Sequence, residues 1–174
     1  MSDTIQKALA LLETVTPLDV DCGTVCDGRC CRPSEDSIGM LLLPGEERLL
    51  ADAGFTIVPS DGGNLLTCDG TCRRAMRPFA CRIFPLFPYV GEDGIVRAVY
   101  DPRSWRLCPL TRNCAHVRLN REFVRAVRRA GTLLMQDPAC AAFLRAQSRE
   151  IDEIARLLPS LENERPPIAR RKLR

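Results

Sequence analysis

The sequence predicts a small α+β domain, mainly helical, with short strands and cysteine-rich loops closed around metal. Three features carry that expectation. The ten cysteines fall mainly in short groups broken by glycine and proline. Short apolar runs flank Asp61-Gly62-Gly63-Asn64 and Gly91-Glu92-Asp93-Gly94, the pattern of strands joined by turns. After Asn120 the apolar residues recur at three- and four-residue spacing, as on one face of a helix.

A chain of 174 residues suits one domain with room for a helical appendage. The hydrophobic fraction of 45% supports a core, whereas only 5% of residues are aromatic. With few large rings to bury, metal ligation can supply part of the folding energy. A net charge of +3 is not that of a nucleic-acid polycation, so nucleic acid is not the expected partner. The polar start Met1-Ser2-Asp3-Thr4-Ile5 lacks the basic and apolar regions of a signal peptide. No stretch approaches the roughly 18 apolar residues of a membrane span. The expectation is therefore a cytoplasmic protein without a membrane partner, in which thiols are metal-bound or catalytic rather than paired. Three regions are expected: a cysteine-cluster metal-binding domain over 1–117, a helical hairpin packed on it over 118–160, and a basic disordered tail over 161–174.

Along the chain, Ser2-Asp3-Thr4 caps a first helix to about Val15, with Ile5, Ala8, Leu9 and Leu12 on one face. Pro17 ends it. The next stretch, Cys22 to Cys31, has the spacing C-x3-C-x3-C-C. Helical spacing would align Cys22, Cys26 and Cys30, but Gly23, Asp27-Gly28 and Pro33 favour a turning loop with its sulfurs inward. Met40 to Leu43 reads as an extended segment, and Pro44-Gly45-Glu46-Glu47 as the start of a helix closing at Gly54. A strand at Phe55–Val58 turns back through Leu65–Thr67 to Cys68-x3-Cys72. The segment Arg77-Pro78-Phe79-Ala80-Cys81-Arg82-Ile83-Phe84-Pro85 is a stiff support for a ligand thiolate. Arg77 and Arg82 either offset thiolate charge there or are solvated or ion-paired. Leu86–Val90 and Ile95–Tyr100 form a hairpin whose Pro88 marks an edge strand. Cys108, Cys114 and the single histidine, His116, follow.

Asn120 caps a helix to about Gln136 with Phe123, Val127, Ala130 and Leu134 as its apolar stripe. Asp137-Pro138 starts another, to about Leu158, with Phe143, Leu144, Ile151 and Ile154 facing inward. Arg118, Arg121, Arg125, Arg128 and Arg129 read as a solvated outer face, and Cys140 as a buried small hydrophobe.

The elements C-x3-C-x3-C-C, C-x3-C, R-P-x-x-C-R-x-F-P and a later Cys-Pro together resemble the bacterial YkgJ-like cysteine-cluster family, described as zinc- or iron-chelating. The resemblance spans Cys22 to Cys108. It implies that Cys22, Cys26, Cys30, Cys31, Cys68, Cys72, Cys81 and Cys108 are the metal and cofactor ligands. The first gap is x3 where the family has x2, and Cys68 and Cys72 are more tightly spaced. Flagellin lysine methylases carry a similar cluster, so such a module can accompany an enzyme.

Eight cysteines suit two four-thiolate zinc sites or iron–sulfur centres. The x3 gaps and neighbouring prolines favour a [4Fe–4S] cluster, with zinc as the alternative. His116 is held in reserve for a site one ligand short. Three functions remain open: a structural or electron-transferring metal protein with a protein redox partner, an iron–sulfur enzyme whose pocket is lined by Trp105, Arg77 and Arg82, and a thiol redox sensor. No nucleotide-binding loop, hydrolase triad or C-x3-C-x2-C radical-initiating motif is present.

Overall fold

The computed structural model describes residues 2–31, 39–51, 54–67, 70, 72–105, 107–112 and 118–157. Helix α1 (Ser2–Ala10) buries Ile5 and Ala8, and Leu12 just past its end, as their spacing predicts. The helix stops short of Val15, and arginines take carbonyls at and just beyond its end. Arg74 donates through Nε to Glu13 O (2.8 Å) and through Nη2 to Leu12 O and Val15 O, while Arg82 Nη1 reaches Leu9 O. Cationic donors at a helix C-terminus both satisfy orphan carbonyls and suit the dipole.

The first sheet has the order β1–β3–β2, all antiparallel, from β1 (Met40–Leu41), β2 (Thr56–Ser60) and β3 (Gly63–Thr67). β2 and β3 form the expected hairpin, with Thr56 opposite Thr67 and Ser60 opposite Gly63. The helix expected between Pro44 and Gly54 is only a 3-10 turn, Glu46–Leu49. Its first residue turns inward: Glu46 is fully buried and accepts from Leu43 N and Phe79 N. An acid expected at the positive end of a helix dipole is instead an internal tie.

The second sheet pairs β4 (Leu86–Val90) with β5 (Val96–Tyr100), Leu86 opposite Tyr100 and Val90 opposite Val96. Every strand of a two-stranded sheet is an edge, which accommodates Pro88 opposite Ala98. Ile95, expected to begin the strand, lies in the turn and is exposed; Asp93 holds that turn by accepting from Ile95 N and pairing with Arg97.

Two long helices complete the single domain. In α5 (Arg121–Leu134) the Asn120 side chain caps the start, accepting from Glu122 N at 2.7 Å. In α6 (Pro138–Leu157) Asp137 does the same for Ala139 N and Cys140 N. α5 packs on α1 and both strands of the second sheet, and α6 on β4 and on the 3-10 turn Pro102–Trp105. Val90 N donates to Ser148 Oγ, and Tyr89 Oη to Asp152, fastening α6 to the strand. One core therefore runs through α1, a short helix α3 (Phe79–Ile83), the hairpin, α5 and α6, while Leu42, Leu50 and Leu66 form a smaller one under the first sheet.

The closest approach in this packing is at Gly131. A Cβ there would lie 2.4 Å from Pro88 Cβ and 2.8 Å from Val96 Cγ1. Gly131→Ala gains about 1 kcal/mol of helix propensity, but overpacking costs about 1–3 kcal/mol. The expected result is a net loss on the order of 1 kcal/mol, seen as a melting midpoint lower by about 2–4 °C. A rise in the midpoint would show that the hairpin yields freely.

Among the described residues, no helix is long and apolar enough to cross a membrane. The 161–174 tail lies outside the described residues.

Candidate functional site

The first cysteine group begins on a helix after all. α2 (Cys22–Cys26) is a short turn of helix whose N-cap, Asp21, accepts from Gly23 N at 3.0 Å. Thr24 Oγ1 donates to Asp21 O and adds a second tie. Gly23 is tolerated because it lies at the capped start, where the chain closes on Asp21 rather than on a helix interior. Asp27 (φ 56°) and Gly28 (φ 59°) then adopt left-handed backbone, ending the helix as their sequence predicts. Gly28 N donates to Gly23 O, and the chain re-enters as a 3-10 turn, Arg29–Cys31. This sharp reversal brings Cys30 and Cys31 back toward Cys22.

Cys108 arrives from the far end of the second sheet. Asp101 N donates to Pro85 O, and a 3-10 turn (Pro102–Trp105) leads to α4 (Pro109–Arg112). Cys108 N donates to the carbonyl of buried Ser104, and Thr111 Oγ1 donates back to Cys108 O, fixing this thiol in a nearly closed position. Arg103 pairs with Asp101 and donates to Gln147 Oε1, linking the turn to α6.

Cys72 precedes a 3-10 turn (Arg74–Met76) that ends at Arg77; Pro78 then leads into α3 (Phe79–Ile83), which carries Cys81, a partly buried thiol. Arg82, buried on the same helix, donates to the carbonyls of Arg77, Ala75 and Leu9. It is therefore not a solvated residue, and its donors serve the backbone. Arg77 does face the thiols. It lies within charge range of Cys72, Cys31 and Asp21.

The three segments lie within charge range of one another. Cys22 feels Cys26, Cys108 and Arg77; Cys30 feels Cys31, Cys22 and Cys108; Cys108 feels Cys26. Six of the expected ligands, Cys22, Cys26, Cys30, Cys31, Cys72 and Cys108, thus occupy one neighbourhood around Arg77 and Asp21. The adjacent thiols Cys30 and Cys31 sit with Sγ atoms 4.0 Å apart and share a hydrogen bond. That bond holds the Cys31 thiol down at about 6, against burial and with help from Arg77, and pushes Cys30 well above the ordinary thiol range. Burial raises Cys22 and Cys108. Cys140 lies apart in the main core, fully buried, its thiol pushed up to about 12 by burial and Asp137, as expected of a packing residue.

Among the described residues, no group of three or more His, Cys, Asp or Glu is drawn together at metal-binding distance. Cys68, Cys114 and His116 lie outside the described residues. Sequence reasoning overlooked Asp21, whose signal was its cap position directly before C-x3-C, and Glu46, which bonds the backbone at the start of α3.

The chain matches no family model, no curated protein and no solved structure.

Proposed function

We propose that this chain is a cytoplasmic metal-binding protein, related to the YkgJ-like family, that holds an iron–sulfur cluster of the [4Fe–4S] type through cysteine thiolates. The observation that carries this reading is the convergence of six thiols from three sequence-distant segments beside one buried-side guanidinium. Thiols of a packing core are dispersed among apolar side chains, as Cys140 is; these lie within charge range of one another. The donor set is entirely soft, which suits iron–sulfur centres or zinc. Cys22, Cys26, Cys30, Cys31, Cys72 and Cys108, with Cys68 and Cys81 from the same sequence pattern, are the residues that would hold the group. A bound cluster would supply one-electron chemistry; a structural or electron-transfer role, with a protein redox partner, follows. The chain's own residues orient the thiols: Asp21 and Asp27-Gly28 shape the first loop, and Ser104 and Thr111 fix Cys108.

Zinc is the second reading, and one distance favours it. A tetrahedral site with metal–sulfur bonds of about 2.3 Å has sulfurs about 3.8 Å apart, close to the 4.0 Å between Cys30 and Cys31.

The test is the metal and acid-labile sulfide content of protein purified without oxygen, beside its absorption spectrum. About four irons and four sulfides per chain, as the formula [4Fe–4S] requires, with a brown chromophore, are expected. Cys31→Ser and Cys108→Ser should lose most of both, and Cys140→Ser should keep them. Zinc without sulfide would support the second reading. Free thiols without any metal would overturn both.

A further inference from the structure

Arg77 and Arg82 flank the same cysteine and look interchangeable in the sequence. Their surroundings are not. Arg82 places Nε, Nη1 and Nη2 on three backbone carbonyls and is a structural clamp. Arg77 lies within charge range of Cys72, Cys31, Cys22 and Asp21 and keeps a buried Nε with no hydrogen-bond partner. Leaving a buried N–H without an acceptor costs free energy, and a guanidinium cannot shed its charge to avoid it. Such a donor beside thiols lacks only an acceptor of opposite charge. Thiolate sites supply one, since four thiolates around a divalent cation leave the assembly doubly negative.

We propose that Arg77 is the charge-compensating and positioning residue of the thiol site, its Nε–H directed at an anionic sulfur, thiolate or sulfide, of the bound centre. The inference rests on the metal reading above. It explains why the guanidinium stays among the sulfurs when carbonyls lie within reach of its neighbours. It also assigns the two arginines different measurable signatures.

The probes are Zn2+ added to the metal-free full chain, and iron with sulfide added without oxygen. Arg77→Gln should weaken Zn2+ binding about 10- to 100-fold, the usual effect of removing a partner of the ligands. Arg77→Lys, which restores charge without the planar fork, should recover part of that loss. The reconstituted Arg77→Gln cluster should have a lower reduction potential than wild type, because the reduced, more negative form loses its cation. Arg82→Gln should lower the melting midpoint of the metal-free chain while leaving the Zn2+ affinity of folded protein within about twofold, since it touches no sulfur. A folded Arg77→Gln protein that binds metal as tightly as wild type, at an unchanged potential, would overturn this inference alone. Equal losses of affinity in the two variants would do so as well. Wild-type protein that takes up neither probe would overturn the metal reading, and this inference with it.

Discussion

Glu46→Ala is expected to remove about 3–5 kcal/mol of stability, the usual effect of breaking a buried charged network. The fully buried carboxylate accepts from Leu43 N and Phe79 N, and Arg82 lies within charge range. Alanine leaves two buried donors without acceptors and a cavity between them. Glu46→Gln keeps one acceptor and should cost less. Burial raises the Glu46 carboxyl above its ordinary range. The sign follows: the folded state binds this proton more tightly than the unfolded chain, so its contribution is full below the unfolded value and lost as pH rises through the folded one. The stability difference between wild type and Glu46→Gln, from denaturant midpoints, should therefore turn against wild type on raising the pH from the ordinary glutamate range. A difference that moves toward wild type would mean that the two N–H donors outweigh burial.

Phe123→Ala should be comparably severe, about 3–5 kcal/mol. Among the described residues Phe123 is the largest side chain that is fully buried, and it stands in the main core among residues from α1, the β4–β5 hairpin and α6. Truncation empties the point where these elements meet. A fall in melting midpoint of roughly 10 °C is expected at this chain length. A fall of only a degree or two would show that the neighbouring side chains collapse into the space. Metal uptake per folded molecule should be unchanged, because Cys140 is the one cysteine in this core among the described residues.

Local signals foretold much of this architecture. Asn120 and Asp137 announce α5 and α6, and the Gly-rich turns announce both hairpins, because capping and turn chemistry is decided within a few residues. The convergence of Cys22 to Cys31 with Cys72 and Cys108 was legible only as a repeated residue type. What the sequence obscured was tertiary. Arg74 and Arg82 look like surface cations until their carbonyl partners, dozens of residues away, are in place. The 3-10 turn at Glu46 replaces a longer helix because a distant amide, Phe79 N, competes for the side chain. The short helix at Cys22 depended on a cap, Asp21, outweighing a glycine.

Adjacent residues on the segment after β1 point into different cores, Leu42 with Leu50 and Leu66, and Leu43 with the main cluster. The three-stranded sheet therefore has little apolar cover of its own, and its strands sit at the low end of the molecule's range of opening free energies. Its amides are expected to exchange with solvent by local opening, and those of α5 and β4 only on global unfolding, as native-state hydrogen exchange would show. Glu46, bonded to Leu43 on one side and Phe79 on the other, stands at that boundary, where cooperativity between the two parts of the domain is set.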